Sequence, residues 1–299
     1  MKTMLITGGT VFVSQFAARY FQKDYRVYVL NRNTREQVPG VTLIEGDRHD
    51  LKGCLKDRHF DVVLDITAYD ALDVNDLLDG LDSFDTYVLI SSSAVYPEWE
   101  VQPFTETTPL GPNRIWGQYG TDKIEAEKAL IARAANHYIL RPPYLYGPGN
   151  NVYREAFCFD CAKENRRFYL PGEGDMPLQF LHVEDLCRFI ACILERKPEQ
   201  RIYNVGNRET VTIRDWVTLC YGLLGKNAEF VSVDPQIPQR NYFPFHAYAY
   251  TLDVERQHAL MPEEKPLKAG LSEAYLWYQE NEAQVRKKPL LSYIDTHLL

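Results

Sequence analysis

Apolar runs recur along the first half of the chain at Thr3-Met4-Leu5-Ile6, Arg26 to Leu30, Val41 to Glu45, Asp61 to Ile66 and Thr86 to Ser91. Between them, Phe12 to Phe21 and Ala71 to Leu81 repeat their apolar positions at helical spacing. The runs are apolar throughout rather than alternating, the pattern of strands covered by helices on both faces. They predict an α/β fold with a doubly wound parallel sheet. A longer helix is predicted from Thr121 to Ala135, with Glu125, Glu127 and Lys128 on its wet side and Ile124, Leu130 and Ile131 facing inward. His137 to Leu140 reads as a further strand. After the Pro/Gly-rich turn from Arg141 to Gly149 the alternation dissolves into helices at about 152–166, 183–196, 212–224 and 266–283. The pattern divides the chain into a sheet domain over residues 1–150, to which 176–206 return, and a smaller C-terminal lobe made of 151–175 and 207–299.

Charge narrows the partners. The 299 residues carry 41 acids against 33 bases, a net charge of −8, and no Lys/Arg block forms a phosphate-tracking stripe. A small-molecule substrate is therefore expected rather than nucleic acid. No apolar run approaches the ~20 residues of a membrane-spanning helix, and Met1-Lys2 leads directly into a strand, so a cytoplasmic location is expected. Six cysteines in so long a chain do not suggest a disulfide framework. Cys158 and Cys161 share one helix face, which predicts packing rather than a metal site, and no metal is expected.

Thr7-Gly8-Gly9-Thr10 stands between the first strand and the first helix, where backbone N–H groups and the helix dipole hold a pyrophosphate. Gly8, Gly9, Thr10, Val11, Phe12 and Val13 are the candidates for this dinucleotide contact. The usual fingerprint has three glycines at three-residue spacing, and here Val11 and Ser14 hold the second and third places. Asn31-Arg32 end the second strand where an acid would accept from the ribose of NAD. A neutral amide beside a guanidinium suits a 2′-phosphate, so the sequence favours NADP over NAD. Asp47 and Arg48, after the third strand, are placed to reach the adenine.

Tyr119 and Lys123 are spaced i and i+4 on one helix face, which brings an ammonium near a phenol. A neighbouring cation favours phenolate and makes a tyrosine usable as an acid/base near neutrality. Ser91-Ser92-Ser93 ends a predicted strand and offers a hydroxyl to the same reacting oxygen. With Arg141-Pro-Pro-Tyr-Leu-Tyr-Gly-Pro-Gly149, Leu181-His-Val-Glu-Asp-Leu186 and Tyr203-Asn-Val-Gly206, these motifs follow the order seen in extended short-chain dehydrogenases/reductases. The chain resembles that group, the NAD-dependent epimerase/dehydratase family, over roughly residues 1 to 225. The resemblance implies a two-lobed Rossmann enzyme with Tyr119 as acid/base, Lys123 on the nicotinamide ribose and lowering the Tyr119 pKa, and Ser92, or Ser93 in the adjacent register, polarising the substrate. It also implies that Ala68, Tyr69, Ser91, Pro142 and Tyr144 line the cofactor cleft, that Tyr96 and Arg240 contact substrate, that His182 is structural, and that a homodimer forms through the Tyr119 helix.

The resemblance weakens at Leu178, near the place where nucleotide-sugar enzymes of the family carry an arginine. Arg240 and the aromatic cluster Tyr242, Phe243, Phe245, Tyr248 and Tyr250 are left as candidates to hold phosphate and base. The expected activity is that of a sugar-nucleotide or related epimerase, dehydratase or reductase. A small carbonyl or enone reductase of the isoflavone-reductase-like type is the neighbouring alternative. Thr7-Gly-Gly-Thr10 before a non-glycine, Asp65-Ile-Thr-Ala-Tyr69 and Gln179-Phe-Leu-His182 are similar to chloroplast stem-loop RNA-binding relatives, a non-catalytic alternative that tends to lose the tyrosine present here as Tyr119.

Overall fold

The computed structural model describes residues 1–299. Six strands, β1 (Lys2–Thr7), β2 (Tyr25–Asn31), β3 (Thr42–Glu45), β4 (His59–Asp65), β5 (Ser83–Ile90) and β6 (His137–Arg141), join the later strand Ile202–Asn204 in one sheet. Its order is Ile202–Asn204, β6, β5, β4, β1, β2, β3, with every neighbouring pair parallel. The chain winds one way from β1 to β3 and the other way from β4 onward. That reversal opens a crevice at the carboxyl ends of β1 and β4.

Successive residues on each strand serve opposite faces. Leu5, Val63, Tyr87, Leu89 and Ile139 pack with α2 (Ala71–Gly80) and α3 (Gln118–Arg133) through Val74, Leu77, Ala126 and Leu130. Met4, Ile6, Val29, Leu64 and Val88 pack on the other side with α1 (Phe12–Phe21). After α4 (Glu155–Lys163), α5 (Val183–Arg196) returns to this second face through Leu186, Phe189, Ile190 and Ile193, a stripe at i, i+3, i+4 and i+7. Burial of each such side chain contributes about 1.5–3 kcal/mol. His182 caps α5 by accepting from the Glu184 N–H at 3.2 Å.

A separate core surrounds Trp216 with α4, the helices Ile213–Leu223 and Leu267–Asn281, and the loop aromatics Tyr242, Phe243 and Phe245. Cys158 and Cys161 are buried within it. Two departures from the sequence reading concern α3. Glu127 is buried rather than wet, because Arg141 of β6 supplies a countercharge at 2.6 Å, and Ile131 is exposed rather than buried. The short strand pairs Tyr144–Tyr146 with Phe180–His182 and Phe168–Pro171 with Phe230–Val233 were not anticipated. No helix is long and apolar enough to cross a membrane.

Candidate functional site

Two cavities open along the carboxyl edge of the sheet, of about 390 Å³ and 430 Å³, and Tyr69 lines both. The first lies beside the turn after β1. Gly8 and Gly9 have φ of 88° and 91°, in the region that favours glycine. A Cβ on Gly9 would lie 2.5 Å from the Val29 side chain, so Gly9 allows the turn to lie against β2. Asn31 ties the same turn down, donating to the Gly8 carbonyl at 2.7 Å and to Gln37 Oε1 at 3.0 Å. Its side chain is thus engaged within the protein, while Arg32, Arg35 and Asp47 line the cavity rim. Arg32 is exposed and only 3.9 Å from Asp47.

Arg48 also lines this cavity, but its guanidinium turns inward, 2.8 Å from Asp65 Oδ1 and 3.0 Å from the Thr67 hydroxyl. Asp65 also accepts from Tyr87 at 2.6 Å and from Thr7 at 2.7 Å. Burial would raise the Asp65 pKa, yet Arg48 and the two hydroxyls outweigh it and hold the carboxyl below its ordinary range. Arg48, expected to reach the adenine, thus lines the first cavity while its guanidinium braces the ends of β1 and β4. Val11 and Phe12 line a pocket of only about 20 Å³ with Gly149 and Asn151, outside both large cavities, whereas Val13 lines the second and Thr10 the first.

The second cavity gathers Ser92, Tyr119, Lys123, Pro142 and Tyr144. Gly120 makes this convergence possible, because a Cβ there would lie 2.4 Å from the Ala94 carbonyl. The start of α3 can therefore press against the turn that follows β5. The three serines diverge. Ser91 donates to buried Glu127, and Ser93 donates to Tyr250 at 3.1 Å. Ser92 faces the Tyr119 phenol and favours its ionised form.

Lys123 is buried and donates to the Ala68 carbonyl at 2.6 Å and the Ile90 carbonyl at 3.0 Å. Burial pulls its pKa down to about 8, although Asp65, Glu127 and Asp73 favour the ammonium. Its nitrogen lies 5.9 Å from the Tyr119 ring centroid. Lys123 is not among the groups that act on the Tyr119 phenol here; desolvation raises its pKa and the hydrogen bond from Ser92 opposes that, while the ring itself stays partly exposed at the cavity mouth. Ala68 enters the site through its carbonyl, and Tyr69 meets Tyr119 edge to face at 6.3 Å.

Tyr96 is a correction. It is fully buried, stacked on Phe104, with its hydroxyl donating to Asn204 at 2.7 Å and accepting from Arg141 at 2.9 Å, and it does not reach the cleft. Tyr242, Phe243 and Phe245 are lobe core, and Tyr250 alone of the aromatic cluster lines the cavity. Arg240, expected to contact substrate, is not among the residues that line the cavity. Arg154, Trp116 and His246 line the cavity without having been singled out from the sequence.

Fold and crevice define a nucleotide-binding α/β protein of the doubly wound class. Residues 4–206 match the NAD dependent epimerase/dehydratase family, and the chain belongs to it. It is 29% identical to the chloroplast stem-loop binding protein of 41 kDa b of Arabidopsis thaliana, over 92% of this chain and 78% of that protein. A probable GDP-L-fucose synthase of Oryza sativa is 27% identical over 67% of this chain, and the match spans 64% of that protein. Among solved structures, dTDP-glucose 4,6-dehydratase from Bacillus anthracis in complex with NAD superposes with a TM-score of 0.75 at 22% identity, covering 97% of this chain and 100% of that one. An epimerase from Methanothermobacter thermautotrophicus gives 0.78 at 20% identity, covering 96% and 95%.

Proposed function

We propose that this chain is an NAD(P)-dependent enzyme that acts on a hydroxyl- or carbonyl-bearing carbon of a sugar nucleotide or related compound. The observation that carries this reading is the convergence of Tyr119, Ser92 and Lys123 on one cavity, joined through Tyr69 to the cavity beside the glycine turn. The residues suit a dinucleotide: a side chain at Gly9 would collide with Val29 of β2 and one at Gly8 with Ser14 and Thr67, and the turn offers backbone N–H groups at the start of α1. The cofactor supplies reversible hydride acceptance at the substrate carbon.

In this reading Tyr119 transfers the proton at the substrate oxygen and Ser92 donates a hydrogen bond to that oxygen. Lys123, held by the Ala68 and Ile90 carbonyls, orients the cofactor ribose. Pro142 and Tyr144 form the wall opposite α3 and exclude water. The resting phenol is protonated, which suits a group that first donates to a carbonyl, and removing a proton from an alcohol requires added positive charge nearby. Residues 1–150 with 176–206 form the cofactor lobe, and 151–175 with 207–299 form the substrate lobe. Arg32 and Arg35 at the rim, with no acid at the end of β2, favour NADP over NAD.

Fluorescence titration of the purified chain with NADH and NADPH tests the reading, and binding of neither overturns it. Tyr119→Phe should abolish conversion of whichever sugar nucleotide the wild type turns over in a UDP-, GDP- and dTDP-sugar panel. Cofactor affinity should stay within a few-fold, because the lost hydroxyl acts in the transition state. The match to the stem-loop binding protein over 92% of the chain favours one other reading, RNA binding without turnover. A gel shift at two salt concentrations decides it, since salt-insensitive or absent binding removes that reading.

A further inference from the structure

The Lys123 ammonium rests on two carbonyls of unequal firmness. Ile90 closes β5 and is fixed by the sheet, since its neighbour Ser91 still donates its backbone N–H to the Leu140 carbonyl at 2.8 Å. Ala68, by contrast, lies in the irregular linker 66–70 between β4 and α2. A segment with no ladder of its own does not set the direction of its carbonyls, so groups outside it must do so.

Arg48 arrives from the segment after β3, and its fork touches points before, within and after that linker. It donates to Asp65 Oδ1 at 2.8 Å, to the Thr67 hydroxyl at 3.0 Å and to the Asp73 carbonyl at 3.2 Å. The Asp73 carboxylate in turn accepts from the Tyr69 N–H at 2.6 Å. From the side of β1, the Thr7 hydroxyl accepts from the N–H groups of Ile66 at 2.9 Å and Thr67 at 3.2 Å. The residues on both sides of Ala68 are therefore held, and three of these contacts run to one guanidinium. Arg48 lines the first cavity and Lys123 the second, while Tyr69, between them, has its ring 5.4 Å from the Lys123 nitrogen. Two cations thus grip one linker, each from its own cavity.

We propose that Arg48 is a positioning residue for Lys123: it sets the Ala68 carbonyl, and through it the ammonium, so that the second cavity depends on a side chain belonging to the first. That the ammonium then holds a cofactor ribose rests on the reading above; the seat itself does not. Three points spread along the linker need a planar fork, so a lysine at this position keeps the charge but not the brace.

Two ligands separate this role from a direct contact with adenosine. ADP lacks the nicotinamide half, whereas NADPH or NADH, whichever the wild type binds, spans both cavities in the reading above. In Arg48→Lys the dinucleotide should bind about tenfold more weakly, with ADP within about threefold of wild type. Arg48→Met should widen that split, with circular dichroism reporting whether it folds. Equal losses for the two ligands, or dinucleotide binding within about twofold of wild type in Arg48→Lys, would overturn the proposal. A second readout needs no cofactor: the Lys123 13Cε resonance, identified by its absence in Lys123→Met, should titrate at a different pH in Arg48→Lys than in wild type. Asp65, Glu127 and Asp73 favour the Lys123 charge, Arg48 opposes it, and the Tyr69 and Tyr119 rings flank it, so a displaced ammonium meets a different field. Superimposable titrations overturn the proposal even where the dinucleotide binds, and leave the redox reading standing. A wild-type chain that binds neither cofactor removes the redox reading, and the resonance then decides the seat alone.

Discussion

Glu127 and Arg141 offer the sharpest stability test. Both side chains are almost completely enclosed, and the Glu127 carboxylate accepts from Arg141 Nη2 at 2.6 Å and Nε at 2.9 Å. Arg141 continues to the Tyr96 hydroxyl, and Ser91 also donates to Glu127, so the pair ties α3 to β5 and β6. Glu127→Gln keeps the shape but leaves a guanidinium enclosed without a countercharge, which should cost about 3–5 kcal/mol. Arg141→Met strands the carboxylate and should cost a similar amount. The double replacement Glu127→Leu with Arg141→Met removes both charges, and its loss should fall short of the two single losses combined by at least about 2 kcal/mol. Urea unfolding followed by circular dichroism reads these differences from midpoints and slopes. A Glu127→Gln cost below about 1 kcal/mol, or strict additivity in the cycle, would refute the reasoning.

Three further outcomes follow from the site. Gly9→Ala should lower stability by about 2–4 kcal/mol, from positive φ and collision with Val29, and should weaken NADPH binding, both read by denaturation and fluorescence titration. Lys123, lowered from 10.5 to about 8 by burial, is charged in both folded and unfolded chains below that value and neutral only in the folded chain just above it. Its penalty is therefore relieved as pH rises, by up to about 3 kcal/mol, and Lys123→Met should flatten the rise in urea midpoint across roughly pH 7.5 to 9.5; parallel curves for the two proteins would count against it. Arg32→Ala should weaken NADPH binding about tenfold while changing NADH binding less than about threefold, and equal losses would end the argument for NADP.

The parallel sheet was legible because each of its strands up to β6 is a continuous apolar run; the end of one such run pointed to Ser92 and Ser93, and the i, i+4 spacing pointed to Tyr119 and Lys123. Glu127 was misread because helical spacing alone assigns a carboxylate to water, and only the arrival of Arg141 from a different strand makes its burial tolerable. Tyr96 was misread for the same reason: its nearness to the serines in sequence says nothing about Asn204, whose side chain draws it inward. Arg154 carries no motif at all. It reaches the cleft because the C-terminal lobe folds back over the sheet, and a lone arginine before a short helix gives no sign of that. The strands Phe168–Pro171 and Phe230–Val233 are four residues each, too short for a period to show.

The seat of Lys123 has a further implication. Its ammonium clasps the carbonyls of Ala68 and Ile90, which follow or finish neighbouring strands, so it acts as a rivet between two parts of the scaffold whatever chemistry happens above it. Tyr119 has no such architectural duty. A descendant of this chain that abandoned turnover would be free to discard the phenol at little structural loss, while remaining bound to keep the amine.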